Sequence, residues 1–511
     1  MTALLWVLGL AAAFGAASVV ALYSYGSFAK KARGAPSQVL PVAQADTPLD
    51  RLIAPELERH AGQTGLASVF DNAEAFALRA LSARAAGRSI DALYYIWRDD
   101  MTGRLLAREL IAAADRGVRV RLLLDDINVQ GFDPSYLALD GHPRIEVRLF
   151  NPIRNRRSAL RRGVELVLGL VRFNRRMHCK AWLADGRMAL IGGRNVGDPD
   201  LGAADGRLRD GRDTDLLVMG PSVQRAGAVF DAYWNSGIAL PISALWKDHR
   251  TSLPRFRAKL DAEADAESAR AYLDAALSGR ETAQVLLPAD RMAWTAAARI
   301  VADPPEKALG TRRDHWMPEA IAPVLEGATD SVRLVTPYFV PGREGLAQLQ
   351  ELAARGVRVE VLTNSLSATN HILVHGAYRR YRRPLLAAGI ALHEYAPTPG
   401  PSGVERMLHT KCLLVDGCTG FVGSFNFDLR SAFLNTEMGV LFDAPTLVAE
   451  LSAEIDHDSA AAQAHSLSLQ RGKLIWSQGG LPAPMTHEPG APALRRGLSW
   501  MIGHLPIHSY L

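Results

Sequence analysis

The residues that could do chemistry come in two sets with the same spacing. The first is His178-Cys-Lys180, followed by Asp185, then Gly192-Gly193 and Asn195. The second is His409-Thr-Lys411, followed by Asp416, then Gly423-Ser424 and Asn426. Each reads His-x-Lys-x4-Asp, a pair of small residues, and an Asn two residues after the second of them. These side chains suit phosphodiester chemistry. A phosphodiester is anionic and repels nucleophiles, so its oxygens must meet positive charge and hydrogen-bond donors. Lys180 and Lys411 would supply the charge, Asn195 and Asn426 the amide donors. One neutral imidazole can attack phosphorus and form a covalent intermediate. A second, protonated imidazole can give its proton to the leaving alkoxide, and the roles then reverse for an incoming alcohol or water. With two lysines supplying the charge, the scheme requires no metal and no cofactor.

Each imidazole also needs an acceptor on its other ring nitrogen, to hold the tautomer and favour the cationic form. Glu437, in Asn435-Thr436-Glu437, follows His409 by 28 residues. Asp215, in Asp213-Thr214-Asp215, occupies the corresponding Thr-acid position in the first half. The bland alternative for both acids is surface charge or capping. Residues two apart share one face of a strand, so the expectation is a strand carrying His and Lys on one side and Cys179 or Thr410 on the other. Leu183 and the run Leu413-Leu414-Val415 suit a buried strand. The three cysteines, Cys179, Cys412 and Cys418, form neither a disulfide framework nor a CxxC pair, and read as small buried side chains rather than catalytic thiols. Two His-x-Lys copies do not supply the four convergent ligands of a zinc site. His371 and His375 are helix-spaced but have no acid nearby, and read as cleft-lining at most.

The elements that must hold these residues are also duplicated. Ser89 to Trp97 reads as a buried strand, Asp100-Met-Thr102 as a cap, and Leu105, Leu106, Leu110 and Ile111 as the apolar face of a helix that stops near Arg116-Gly117. Val118 to Leu124 is the next strand, completing a βαβ unit. In the second half Val332 to Phe339, Gly345 to Leu352, Arg355-Gly356 and Val357 to Leu362 repeat the order. Arg-Gly-Val-Arg-Val occurs at 116–120 and at 355–359; Gly117 precedes His178 by 61 residues and Gly356 precedes His409 by 53. The duplication therefore spans each half and not the motif alone.

The chain of 511 residues is long enough for two or three domains, and its net charge of +5, mostly arginine, suggests an anionic partner: phosphate, nucleic acid or an acidic membrane face. Residues 1–29 carry no charged side chain. Leu4 to Phe28 is apolar and exceeds the roughly 20 residues that cross a bilayer. No basic region precedes it, and Lys30, Lys31 and Arg33 follow it. That favours a retained anchor over a cleaved signal, with the body on the cytoplasmic side. The expected organisation is an anchor (1–33), a Pro-rich linker (34–50), a first domain (51–245), a helical connector (246–325), a second domain (326–480) and a basic, apolar tail (481–511). The charged, alanine-rich stretch Arg255 to Leu277 reads as a surface helix or helical connector, and no chemistry is assigned to it.

The twin motifs, their Gly-Gly and Gly-Ser turns and their Asn residues resemble the phospholipase D superfamily. The resemblance implies an α/β fold of two similar α/β/α sandwich halves related by a pseudo-two-fold, preceded here by one transmembrane helix. It also implies a shared cleft, His178 as the nucleophile, His409 as the acid, and structural roles for Asp185 and Asp416. A narrower resemblance runs through Tyr94-Tyr95-Ile-Trp97, Asn174 to His178, Pro337 to Pro341, Leu362 to Leu366, His375 to Pro384, Val422 to Asn426 with Arg430-Ser431, Glu488-Pro489 and Leu505-Pro506-Ile507. These are similar to bacterial cardiolipin synthases, particularly the C-type branch. That implies transfer of a phosphatidyl group to phosphatidylglycerol at the bacterial inner membrane, with phosphatidylethanolamine as a possible second lipid. The chain departs from the better-known branch in having one N-terminal span instead of two, and from the C-type pattern at Cys179, where a polar residue is usual.

Other segments bear on lipid against nucleic acid. Arg154, Arg156, Arg157, Arg161 and Arg162 precede the apolar run Val164 to Val171, and Arg172, Arg175 and Arg176 follow it. Basic residues flanking apolar ones suit an anionic lipid surface. Leu494 to Ile502 has the same character. Tyr378 to Arg383 could bind phosphates or be an exposed helix face. A nuclease of this superfamily would use the arginines but needs neither the span nor the apolar tail, so no nucleic-acid partner is expected. The alternatives are a hydrolytic phospholipase D or nuclease, and a non-enzymatic lipid-binding scaffold; two intact His-Lys-Asn sets oppose the last.

Overall fold

Burial alternates along the motif strands. In Ala181–Ala184, Ala181 and Leu183 face one apolar cluster while Trp182 and Ala184 face another, and Cys412–Val415 divides in the same way. A strand buried on both faces must sit inside a sheet covered on both sides. The computed structural model, which describes residues 2–42, 46–246, 251–311, 315–400, 403–477 and 483–505, places each of these strands inside a nine-stranded mixed sheet.

The first sheet contains the run Asp215–Met219, Met188–Gly192, Ala181–Ala184, Ser89–Tyr94, Arg119–Asp125 and Ile145–Phe150, in that spatial order. The second contains Met438–Asp443, Thr419–Gly423, Cys412–Val415, Ser331–Val335, Arg358–Asn364 and Ala391–Tyr395. The directions match as well. The last three strands of each run are mutually parallel, and the first three join by antiparallel pairs. Asn72–Ala85 and Met101–Asp115 pack on the outer face of the first sheet. Gly342–Ala354 packs on the outer face of the second. A central core joins the inner faces of both sheets with Pro221–Trp234, through Phe230 and Trp234, and with Pro445–Ser459, through Leu447 and Leu451. The result is the expected pair of α/β/α halves. Asp100 caps its helix by accepting from the Gly103 amide, and Gly117 (φ 98°) and Gly356 (φ 87°) end the matching helices in the left-handed region that glycine tolerates.

The two halves are sewn together reciprocally. Met177 pairs with Thr436; the His178 amide donates to Thr436 O (2.9 Å) and the Thr436 amide to Arg176 O (2.8 Å). On the other side Glu405–Leu408 pairs in parallel with Asp210–Arg212, and the His409 amide donates to Arg212 O (2.7 Å). Each half lends the other a strand segment, as a pseudo-two-fold requires. This corrects the expected place of the motifs: His-x-Lys lies in the extended segment just before each buried strand, where the amides of His178, His409 and Thr410 donate to the opposite half.

The stretch 246–325, expected as a helical connector, is helical over Leu253–Asp265, Glu267–Leu277 and Thr282–Leu286, then supplies an edge strand to each sheet. Ala293–Thr295 pairs with Thr64–Val69, and Ala298–Ala302 with Met438–Asp443. The region read as a surface helix is two helices that bury Phe256, Leu260, Ala269 and Ala276 in the first core, the face its charges concealed. The N-terminal helix Thr2–Ala32 is long and apolar enough to cross a membrane, and its apolar stretch is unburied. Its end packs on Leu240 through Tyr25 and Ala29. In the tail, Ala493–Gly503 lies against Ile372–Tyr378; residues 478–482 and 506–511, including Pro506 and Ile507, fall outside the described residues.

Candidate active site

The motif aspartates fix the frame. Asp185 and Asp416 both sit at φ 52°, each followed by a glycine at φ 66°. Asp185 accepts from the amides of Gly87, Arg88 and Ser89 (2.7–2.9 Å), and Asp416 from those of Thr329, Asp330 and Ser331 (2.8 Å). Each carboxylate thus ties its hairpin to the start of the neighbouring antiparallel strand.

Between these frames the imidazoles meet acids across the dyad. His178 Nδ1 lies 2.9 Å from Glu437 Oε2 and 3.1 Å from Ser424 O, so the first His touches both the acid and the Gly-Ser turn of the second half. His409 Nδ1 lies 2.5 Å from Asp213 Oδ2. With Nδ1 engaged, Nε2 of each ring is the nitrogen left for a substrate. Thr214 and Thr410 hydroxyls are 3.4 Å apart, which closes the seam beneath. Lys180 Nζ donates to His178 O (2.6 Å), and Lys411 Nζ to His409 O. An ammonium has three protons, so each lysine keeps donors for an anion.

Asp213 replaces the expected Asp215 as the partner of an imidazole. Asp215 is instead 2.9 Å from Arg79 Nη2, with both side chains buried in the first half. Strand register gives the reason. Gly192 lies opposite Asp215 and Gly423 opposite Gly439, so the position equivalent to Glu437 is two residues before Asp215. Matching the Thr-acid dipeptide slipped by one full strand repeat, which preserves the face and so leaves no trace in residue type. The Gly-Gly pair makes room for both acids: a Cβ at Gly192 would lie 2.3 Å from Asp215 Oδ1, and one at Gly193 2.2 Å from Asp213 Oδ1.

The asparagines flank the same pocket. Both are nearly buried, Asn195 Oδ1 accepts from the Ile96 amide (3.2 Å), and among the described residues neither Asn195 nor Asn426 has a protein acceptor for its side-chain NH2. Tyr95 stacks edge-on against His178 with centroids 4.9 Å apart. Tyr338 does the same to His371 (5.1 Å), whose charge is coupled to that of His409. Arg430 reaches Asn174 with two 2.8 Å bonds. Tyr95 and Arg430 fall within the segments quoted above, but their place at the site comes only from folding. His375 is not cleft-lining: it is buried beside Arg382, which pairs with Glu394 (2.7 Å) and Glu488 (2.8 Å). The basic run 378–383 is likewise committed to protein partners, Arg380 to Gly503 O and Arg383 to Gly472 O.

The electrostatics differ between the two pairs. Burial, then Lys180, Lys411 and His409, hold His178 well below the ordinary imidazole range. Burial pushes its partner Glu437 up to about 7, against Lys180. Burial would also raise Asp213, but Lys411 and His409 outweigh it and hold that carboxyl at about 2. His409 is lowered by burial and then by Lys411, with Asp213 opposing. Lys180 is brought down to about 7 by burial. Two lysines and two imidazoles thus lie buried close enough to influence one another's charge. Cys179, beside His178, is inert: burial drives its thiol to about 12.

Similarity to known proteins agrees with this geometry. The chain matches the family described as cardiolipin synthase, PLD-like domain, over residues 82–211 and 321–459, one match in each half. It is 38% identical over 439 residues to cardiolipin synthase C of Escherichia coli, covering 83% of this chain and 91% of that protein. It is 26% identical over 391 residues to a cardiolipin synthase of Halalkalibacterium halodurans, covering 76% of this chain and 65% of that one. Among solved structures, a phosphatidylserine synthase of Haemophilus influenzae aligns with a TM-score of 0.54 at 14% identity, over 79% of this chain and 90% of that one, a likeness of fold. The crossed His–acid pairs, the doubled sheet and the relatives together make this chain a member of the PLD-like cardiolipin synthase family, an enzyme of the phospholipase D superfamily.

Proposed function

We propose that this protein is a cardiolipin synthase that transfers a phosphatidyl group to phosphatidylglycerol through a phosphohistidine at His178. The observation that carries the reading is the crossed pairing of His178 with Glu437 and His409 with Asp213, which sets each imidazole against an acid of the opposite half. Neutral His178 attacks phosphorus through Nε2; the P–O bond to the headgroup alcohol breaks and His409 gives that oxygen its proton. Lys180, Lys411 and the amides of Asn195 and Asn426 bind the phosphoryl oxygens as charge builds on them. The terminal glycerol hydroxyl of a second phosphatidylglycerol then yields its proton to His409 and attacks phosphorus. The P–N bond breaks, His178 returns to neutral, and cardiolipin leaves.

The membrane setting fits the rest of the chain. Lys30 and Lys31 close the N-terminal helix, favouring a single inner-membrane span with the body in the cytoplasm. The helices Ala159–Leu168 and Leu170–Phe173 leave Leu160 and Val171 exposed, and Ala493–Gly503 leaves Leu494 and Trp500 exposed, as interfacial segments do. The reading is tested by incubating the enzyme with labelled phosphatidylglycerol in vesicles, with and without phosphatidylethanolamine. Cardiolipin formation that persists in EDTA is expected. Phosphatidic acid alone would make the enzyme a hydrolase, DNA cleavage without lipid turnover would overturn both readings, and strong inhibition by EDTA would refute the metal-free route.

A further inference from the structure

Joined to Glu437 through the main chain is a buried ion pair that belongs to neither motif. Asp303 and Lys307 come from the connector between the halves, with 1% and 0% of their surfaces exposed, and Lys307 Nζ lies 2.8 Å from Asp303 Oδ2. The pair continues the ladder between Ala298–Ala302 and Met438–Asp443: the Asp303 amide donates to Glu437 O (2.9 Å) and the Glu437 amide to Asp303 Oδ2 (2.8 Å). Asp303 Oδ1 accepts from the Met317 amide (2.6 Å), at the start of Met317–Glu326. Lys307 makes a second bond to Ser431 O (2.8 Å) and lies over the Trp316 ring. Arg175, three residues before His178, donates to Lys307 O (3.0 Å). Tyr233 links Asp303 O (2.8 Å) to Cys179 Sγ (3.5 Å). Two residues thus grip both the strand that carries Glu437 and the segment that delivers His178.

Packing alone does not call for charge here. Removing an ion from water costs several kcal/mol, and an apolar pair of similar volume would commonly serve the fold as well. We propose that Asp303 and Lys307 are positioning residues for the His178 half-site, fixing the Glu437 main chain and, through the Lys307 charge, keeping the Glu437 carboxylate available to the imidazole. This rests on the reading of His178 and Glu437 as an acid–base pair. The charged and titratable groups around Glu437 are His178, Lys180 and Lys411 on the substrate side, and Asp303, Lys307, Asp428 and Cys179 elsewhere. A bound phosphate would draw on Lys180 and Lys411; Lys307, committed to Asp303 and Ser431, is the cation that stays with the protein throughout turnover. Burial raises the Glu437 carboxyl; Lys180 and the Ser424 and Ser431 hydroxyls act against that rise, and Lys307 adds to them.

The test compares full-length Lys307→Gln/Asp303→Asn, which removes both charges but keeps hydrogen-bonding shapes, with Lys307→Met and the charge-keeping Lys307→Arg. Consumption of vesicle phosphatidylglycerol is scored whatever the product, so a hydrolytic outcome would refute the synthase reading and leave this measurement intact. In Lys307→Met the acid limb of kcat/KM is expected to move to higher pH by about half a unit to one unit, because Glu437 then protonates more readily, and in the neutral double variant, which also removes the opposing Asp303 charge, by less. Lys307→Arg should return the limb toward wild type. A purely structural pair would lower the folded fraction and leave the limb in place. An unmoved acid limb in a Lys307→Met enzyme that still shows a cooperative melt overturns the proposal.

Discussion

His178 and His409 occupy equivalent positions in two halves of one topology, yet they work against different acids in different fields. Glu437 is buried without ionising readily, and its hydroxyl neighbour Ser424 also bonds to it. Asp213 is buried to the same degree but held anionic, with Lys411 3.9 Å away and His409 in contact. Burial lowers both imidazoles, His178 well below the ordinary range, and at His409 the Asp213 carboxylate opposes the lowering, a contrast that fits the proposed nucleophile and acid. Two copies of one motif therefore differ by one methylene in the acid, a serine in place of a glycine, and the distribution of ammonium groups.

The largest effects should come from the imidazoles. His178→Ala and His409→Ala should each lower turnover by about 10⁴-fold or more, since nucleophile and acid act as a unit. Labelled phosphatidyl adduct, trapped by acid quench and located by mass spectrometry, should map to His178; an adduct on His409 would reverse the roles. Next come the acids. Glu437→Gln and Asp213→Asn should each cost about 10²- to 10³-fold in kcat/KM, but only Asp213→Asn should draw the basic limb to lower pH, by weakening the His409 imidazolium. Stability should separate them by sign. The Asp213 carboxyl falls to about 2 on folding, so its contribution is present above the ordinary carboxylate range and lost as pH falls through 2. The Glu437 carboxyl rises to about 7, so its contribution weakens as pH rises toward 7. At pH 8, Asp213→Asn should lower the melting temperature, while Glu437→Gln should leave it unchanged or raise it.

A smaller catalytic and larger structural effect is expected at Asp215. Replacing it by Ala strands Arg79 in the core, at a cost of about 3–5 kcal/mol, and a chemical denaturation midpoint would register that loss. The folded fraction should keep the wild-type pH profile; a displaced limb would return Asp215 to the site. The mildest change is Ser424→Gly, which makes the second turn resemble the first. A few-fold loss in kcat with the acid limb shifted upward is expected, since one hydrogen bond to Glu437 disappears.

Much of this was legible in the residues. The paired His-x-Lys-x4-Asp runs and the matched Arg-Gly-Val-Arg-Val offsets announce a doubled α/β unit, because periodicity and glycine stops are local properties that do not depend on the partner half. Where the reading failed, the cause was long-range. Asp213 and Asp215 are two apart, just before and at the start of one strand, and chemically alike, so only the ladder against Gly192 tells which one meets an imidazole. The connector looked like solvent-facing helix because its charges are sequential, while the edge strands 293–302 and the Lys307 side chain gain meaning only against the sheets they join.

Local spacing thus determined the chemistry and the duplicated framework: types at fixed intervals specify strands, turns and candidate reagents without knowledge of the rest of the chain. Tertiary structure alone decided which acid meets which imidazole, that the two motifs exchange backbone bonds across the dyad, and that neighbouring charges set the two acids apart against a common effect of burial. Those are properties of packing between segments more than 190 residues apart, with His409 and Asp213 separated by 196 and His178 and Glu437 by 259. No window of sequence spans such distances, and the dielectric that sets each proton affinity exists only once water has been excluded.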